Sequence, residues 1–193
     1  MRKVFYLFRH GETDYNLEKR WQGCGVDSLL NQTGIKQAEE LAEKVRNLGI
    51  EIVYSSELKR ALQTGTVAAA KLGVPLKTIA DLREGNLGEA EGLLRDEVEH
   101  KFSDIFQAWY SQENDMNICF PKGETKLQMQ NRMFNVLQNL LAIPEDVIGI
   151  CSHSSSIRYL LMKFGIPPHK MPNTSLFKVV YDDGSWSAEQ IIF

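Results

Sequence analysis

Two histidines stand where an apolar run of the chain gives way to charge. His10 follows Val4-Phe5-Tyr6-Leu7-Phe8 within the triplet Arg9-His10-Gly11, and His153 follows Val147-Ile148-Gly149-Ile150-Cys151 and Ser152. An imidazole changes its charge near neutral pH, so its surroundings decide whether it donates, accepts or carries a proton. The adjoining Arg9 offers a permanently charged planar fork suited to oxyanions, and Gly11 lets a ligand come close to the backbone. Taken alone, the triplet fits a structural histidine at a strand end better than a catalyst. His100, in a charged helical stretch, and His169, after Pro167-Pro168, carry no motif and are read as solvent-facing. HExxH, EF-hand and Walker A sequences are absent, so no metal site is expected.

The elements that must position these residues alternate in type. Val4–Phe8 reads as a strand buried on both faces. Ile35, Ala38, Leu41, Ala42, Val45 and Leu48 follow helical spacing, with Thr33 as N-cap and Gly49 as the stop. Ile50–Tyr54 reads as a strand, Glu57–Leu72 as a helix closed by Gly73-Val74-Pro75, and Leu76–Ile79 as a strand. An irregular segment at about 85–123 follows, with short helices around Asp96–Lys101 and Ser103–Gln112, the kind of insertion that covers a substrate. Thr125–Leu141 is helical by pattern, Val147–Cys151 a strand, and Ser154–Phe164 a helix ended by Gly165-Ile166-Pro167-Pro168. Phe177–Tyr181 and Ser187–Ile192 flank the turn signal Asp182-Asp183-Gly184 as a hairpin. The sequence thus predicts one α/β domain over residues 1–193: a three-layer sandwich with a mostly parallel central sheet and helices on both faces. In such sheets ligands bind at the carboxyl ends of the strands, where both histidines fall.

Composition narrows the partners. The 193 residues are 43% hydrophobic and 24% charged, as in an ordinary globular protein. A net charge of -3 argues against a nucleic-acid footprint, so an anionic ligand would have to be drawn in by a few placed arginines. Cys24, Cys119 and Cys151 form an odd set without CxxC spacing, which predicts buried reduced thiols rather than disulfides or zinc. The start lacks the apolar length of a signal peptide and no stretch has the length of a membrane span, so the expected setting is cytoplasmic, with no membrane partner.

The longer segment Leu7-Phe8-Arg9-His10-Gly11-Glu12-Thr13-Asp14-Tyr15-Asn16 resembles the N-terminal signature of the histidine phosphatase superfamily, which includes cofactor-dependent phosphoglycerate mutases. Further blocks follow in the same order: Gln22-Gly23, Asp27-Ser28, Leu30-Asn31-Gln32-Thr33-Gly34, and Ser55-Ser56-Glu57-Leu58-Lys59-Arg60-Ala61-Leu62-Gln63-Thr64. Leu82-Arg83-Glu84-Gly85-Asn86-Leu87-Gly88-Glu89-Ala90-Glu91-Gly92, Gly123-Glu124-Thr125, Cys151-Ser152-His153 with Ile157-Arg158, and Asn173-Thr174-Ser175 complete the likeness over nearly the whole chain.

This resemblance implies that His10 is the nucleophile, His153 its partner and Glu84 the proton donor, with Arg9 and Arg60 gripping the phosphoryl group. Asn16 and the Gly23 backbone N–H are implied to complete the pocket, and the Ser154 hydroxyl is read as a further phosphate contact. The implied activity is that of a metal-independent phosphoric monoester hydrolase of the histidine acid phosphatase type, working through a phosphohistidine without a cofactor. The branches it resembles are the broad-specificity and alpha-ribazole phosphatases, its implied partner is a small phosphorylated metabolite, and it is expected to be a monomer or weak homodimer. The chemistry requires a neutral His10, which the neighbouring guanidinium groups favour, while a protonated His153 would be a third donor to the phosphate. Glu84 must be protonated to serve the leaving alkoxide, then ionised to activate water. Isolated ion pairs, Glu84 with Arg83 and Arg60 with Glu57, are the alternative roles for these two residues. Walls for the substrate could come from Trp21, Trp109, Phe106 and Phe120, whose other role is core packing.

Two departures stand out. Relatives commonly carry glycines after the second histidine, where this chain has Ser154-Ser155-Ser156, so Ser154 either bonds the phosphate or crowds it; Ala90 stands where many relatives have tryptophan. The alternatives are therefore a cofactor-dependent phosphoglycerate mutase-type phosphotransferase, disfavoured by the shortness of the segment between Glu84 and His153, and a non-catalytic phospholigand-binding relative.

Overall fold

The computed structural model describes residues 1–111, 115–167 and 171–192; His169 and the end expected for a helix at Gln112 lie outside the described residues. In chain order the elements are β1 (Arg2–Arg9), α1 (Asp14–Leu17), α2 (Gln32–Val45), β2 (Ile52–Ser55), α3 (Lys59–Leu72) and β3 (Leu76–Thr78). After the 3₁₀ turns Ala80–Leu82 and Gly88–Ala90 come α4 (Arg95–Lys101), α5 (Ser103–Tyr110), α6 (Lys126–Leu140), β4 (Val147–Ser152), α7 (Ser154–Lys163), β5 (Leu176–Asp182) and β6 (Ser185–Ile191).

The strands form a single six-stranded sheet in the order β3-β2-β4-β1-β5-β6. The pairs β3·β2, β2·β4 and β4·β1 are parallel, as expected, whereas β5 and β6 join beside β1 as an antiparallel hairpin. Alternate residues of β1 point to opposite faces. Phe5 and Leu7, with Ile148 and Ile150 of β4, pack on Met133 and Leu137 of α6 and on Ile157 and Leu160 of α7. Val4, Tyr6 and Phe8 pack on Leu41 and Val45 of α2 and on Ala61 and Ala68 of α3. Each large side chain so buried stabilises the fold by about 1.5–3 kcal/mol relative to exposure. A third cluster, including Leu87, Phe106, Trp109 and Phe120, fixes the irregular segment to Met129 of α6 and Tyr159 of α7.

Local signals explain most boundaries. Asn31, not Thr33, caps α2, accepting the Gly34 N–H at 2.8 Å. Ile35, the first position of the expected apolar stripe, is exposed. Gly73 closes α3 in the left-handed region at φ 68°, where glycine lacks the steric cost of a Cβ. Gly11 also differs from expectation: a Cβ there would meet the Gly34 carbonyl oxygen at 2.4 Å, so its smallness serves contact with the start of α2. Cys151 is buried as expected, but Cys24 and Cys119 are only partly buried, and all three are unpaired. Among the described residues no helix is long and apolar enough to cross a membrane.

Candidate active site

The sheet order explains how residues so distant in sequence meet. β4 lies directly between β1 and β2, and Arg9 of β1 is in register with Ser152 of β4, so both chains leave the same edge side by side. The His10 N–H donates to the Ser152 carbonyl at 3.1 Å, and the Ser56 N–H, just past β2, donates to the Cys151 carbonyl at 3.0 Å. The His10 and His153 rings sit 5.1 Å apart between centroids, inclined at 58°.

Their hydrogen bonds distinguish the two rings. His10 Nδ1 lies 2.7 Å from the Gly11 carbonyl oxygen. A carbonyl only accepts, so Nδ1 carries the proton and Nε2 keeps a lone pair. Burial, then the charges of Arg9 and Arg60, hold His10 well below the usual imidazole pKa, opposed in part by the Gly11 bond. His153 Nε2 is 2.9 Å from Ser56 Oγ. Burial first, then Arg60, His10, Arg132 and Arg9, push its pKa well down too. The expected protonated His153 is thus not the state this pocket favours, because a fully buried ring among guanidinium groups is more stable neutral.

Arg60, in the first turn of α3, is fully buried and donates to the carbonyls of Val26 at 2.6 Å and Gly23 at 3.1 Å. Gly23 thus has a role for its carbonyl, holding Arg60, beside the one expected of its N–H. Arg9 donates to the Met171 carbonyl, and burial lowers its pKa to about 10, which leaves it charged at neutral pH. Asn16 Oδ1 is taken by the Thr13 N–H and by Asn173 Nδ2, so its free function is its own amide donor. Among the described residues, four buried side-chain nitrogens have no partner: Arg9 Nε, Arg60 Nε, His153 Nδ1 and Arg158 Nε. Buried polar atoms are rarely left unpaired, and all four belong to this one neighbourhood.

Glu84 follows the 3₁₀ turn Ala80–Leu82. Its Oε1 accepts the Gly85 and Ser156 N–H groups, both at 3.0 Å, and the Ser156 hydroxyl at 3.2 Å, while Oε2 accepts the Ser155 N–H at 3.1 Å. His153, the N-cap of α7, makes no side-chain cap; Glu84 takes two of the free N–H groups at that end instead. Arg83 pairs with Asp81 at 3.0 Å rather than with Glu84. Of the three serines, Ser155 meets Glu84 through its backbone N–H alone, Ser156 adds its hydroxyl, and Ser154 accepts Arg158 Nη2 at 3.3 Å. Ala90 is buried in the third cluster.

Arg9, His10, Asn16, Glu84, Ser154 and Ser155 face a cavity of about 510 Å³, whose outer walls are Lys19, Arg20, Trp21, Arg95, Trp109, Tyr110 and Arg158. Arg60, His153 and Gly23 are buried just behind this lining, the His153 ring against that of His10. Of the four aromatic candidates, Trp21 and Trp109 line the cavity, and Phe106 and Phe120 are packed in the third cluster. Sequence reasoning missed Lys19, Arg20 and Arg95. They converge because residues 19–21 pair with 92–95, through the Arg20–Leu94 bridge and the Trp21 N–H to Leu93 carbonyl bond of 2.9 Å. It also missed Ser56, although a serine pair ending an apolar strand is a visible signal.

A family model described as the histidine phosphatase superfamily (branch 1) matches residues 5–192. A Yersinia pestis protein described as "probable phosphoglycerate mutase GpmB" is 33% identical over 192 residues, covering 95% of this chain and 87% of that protein. A phosphoglycerate mutase structure from Bacillus anthracis superposes with a TM-score of 0.87 at 22% identity, covering 98% of this chain and 92% of the other. A mycobacterial glucosyl-3-phosphoglycerate phosphatase in complex with VO3 gives 0.85 at 22% identity, covering 99% and 98%.

Proposed function

The chain belongs to branch 1 of the histidine phosphatase superfamily, and from that premise we propose that it hydrolyses small phosphate monoesters through a phosphohistidine on His10. The observation that carries this reading is the gathering of unpartnered nitrogens from Arg9, Arg60 and His153 around a neutral His10. A phosphate dianion supplies what each of them lacks.

The Ser56 oxygen accepts the Leu58 N–H, so its own proton can go to His153 Nε2 and leave the ring proton on Nδ1. The phosphoryl oxygens then take Arg9, Arg60, the Asn16 amide and that Nδ1–H, entering behind the cavity lining, and these stabilise the charge spread over them in the transition state. The Nε2 lone pair of His10 attacks phosphorus, and the bond to the ester oxygen breaks. That oxygen takes the proton of the Glu84 carboxylic acid and leaves as the alcohol. Glu84 is now the carboxylate, docked on the Ser155 and Ser156 N–H groups. Water then attacks the phosphohistidine, giving its proton to Glu84, and inorganic phosphate and free His10 result. These fixed donors supply the positive charge, so activity is expected to survive EDTA. The cations Lys19, Arg20, Arg95 and Arg158 around Trp21 and Trp109 suit esters that carry further negative charge beside an apolar or planar group.

Incubation with p-nitrophenyl phosphate tests the core claim: release of p-nitrophenol with an acid-labile phosphoenzyme supports it. Release that persists in His10→Ala overturns it, and binding without turnover favours a non-catalytic relative. The mutase reading is favoured by the Yersinia pestis relative, and length does not separate the two, since 92% of the Bacillus anthracis mutase chain is covered. Incubating 3-phosphoglycerate with a trace of 2,3-bisphosphoglycerate decides: isomerisation faster than phosphate release would replace hydrolysis as the activity.

A further inference from the structure

Arg132 stands on the buried face of α6, among Lys126, Met129, Met133, Val136, Leu137 and Leu140. A guanidinium in such a position needs acceptors for all its protons, and here all five are used. Nε and Nη2 grip Glu124 at 2.8 and 3.0 Å, Nη1 donates to the Asp81 and Arg83 carbonyls at 2.7 and 2.8 Å, and Nη2 also donates to Ser156 Oγ at 3.2 Å. These acceptors come from the turn before Glu84, from Glu124 just ahead of α6, and from the first turn of α7.

Glu84 is bracketed as a result. On one side the Arg83 carbonyl is held by Arg132 and by the Ser156 hydroxyl at 2.7 Å. On the other, Asn86 accepts the Glu124 N–H at 2.7 Å and donates its own N–H to Glu124 Oε2 at 3.3 Å. The single Ser156 hydroxyl proton has two acceptors within reach, the Arg83 carbonyl and Glu84 Oε1. It can turn to the carboxylate when Glu84 is ionised and back to the carbonyl when Glu84 carries a proton. Arg132 keeps that oxygen in place in both states.

We infer that Arg132, with Glu124 and Ser156, positions Glu84 for proton transfer without touching the substrate. The inference rests on the acid role proposed above for Glu84. A residue that only stabilised the fold would slow every substrate alike. Loss of aim at the leaving oxygen hurts only esters whose leaving group needs a proton.

The test compares kcat/KM for p-nitrophenyl phosphate, whose phenolate departs unaided, with that for 2-phenylethyl phosphate, whose alkoxide does not. Glu84→Gln is expected to lower the alkyl ester by about 100-fold more than the aryl ester. Arg132→Lys keeps the charge but not the fork, and is expected to give a differential loss of about tenfold; Ser156→Ala should give about threefold. Thermal melts identify variants that fail to fold, and Ser156→Ala, which removes one oxygen, keeps the test alive if Arg132→Lys does fail. Equal losses on both esters in the Arg132 and Ser156 variants, beside a split in Glu84→Gln, would overturn the positioning role. No split in Glu84→Gln itself would remove the acid role and the inference with it.

Discussion

The floor of the cavity and its outer wall are built on different terms. At and just beneath the floor, His10, Arg60, Glu84 and His153 are at most 5% exposed; the first three are fixed by main-chain groups and His153 by the Ser56 hydroxyl. At the wall, Lys19, Arg20, Arg95 and Tyr110 belong to loops and short helices. Arg95 is held there by stacking over the Phe106 and Tyr110 rings at 5.3 and 5.0 Å. A floor so over-determined tolerates little change, because every group has a neighbour that depends on it. The wall can vary without disturbing the sheet, which is how one reaction can serve many substrates.

Substitutions at the floor should therefore strike turnover, and His10→Ala most of all. Loss of the nucleophile is expected to lower kcat by about 10⁴-fold or more, with no phosphoenzyme in rapid-quench experiments. His153→Ala removes a donor aimed at the phosphoryl oxygens and is expected to cost about 10²–10³-fold in kcat. A drop in KM-controlled binding alone, with kcat kept, would erase the contrast between the regions.

The same imidazoles make the floor sensitive to acid. Both have pKa values depressed in the folded state, chiefly by burial and then by charged or histidine neighbours, so the unfolded chain binds more protons below about pH 6.5. Stability is then complete above that pH and is lost as pH falls from 6.5 towards the folded-state values. Each imidazole protonated only on unfolding costs about 1.4 kcal/mol per pH unit below 6.5, so with both the melting temperature should fall by about 5–10 °C between pH 7.5 and 5.5. His10→Gln should remove about half of this slope. An unchanged slope would mean that the buried ring is not neutral.

Periodicity in the sequence located nearly every strand and helix, and the rule that ligands sit at strand ends led to His10 and His153. What it did not contain is how separate segments pack. Gly11 looked like a ligand contact, whereas it meets Gly34 across a backbone approach that no local pattern encodes. His153 looked like a cation, but its charge state depends on burial and on guanidinium groups from other elements. Arg132 was visible in principle, since a charge on the apolar stripe of α6 asks for a buried acceptor. Lys19 and Arg95 were not, because their meeting depends on two loops pairing.

The wall offers the finest division of the two regions, and the smallest effect. Arg158 and Arg95 both face the cavity, and Arg158 comes from the helix whose start holds Glu84. If the wall selects substrates by charge alone, Arg158→Leu and Arg95→Ala should raise KM for 3-phosphoglycerate by about fivefold to tenfold while kcat stays within about twofold. Phenyl phosphate, which carries no second anion, should keep its KM. Salt should mimic the substitutions, lowering kcat/KM for the acidic ester in the parent enzyme and much less in the variants, because exposed charges are screened within about 8–10 Å at these ionic strengths. If kcat falls with KM in Arg158→Leu but not in Arg95→Ala, Arg158 belongs to the floor, coupled to it through Ser154, and the boundary between chemistry and selection runs one residue further out than its partial exposure suggests.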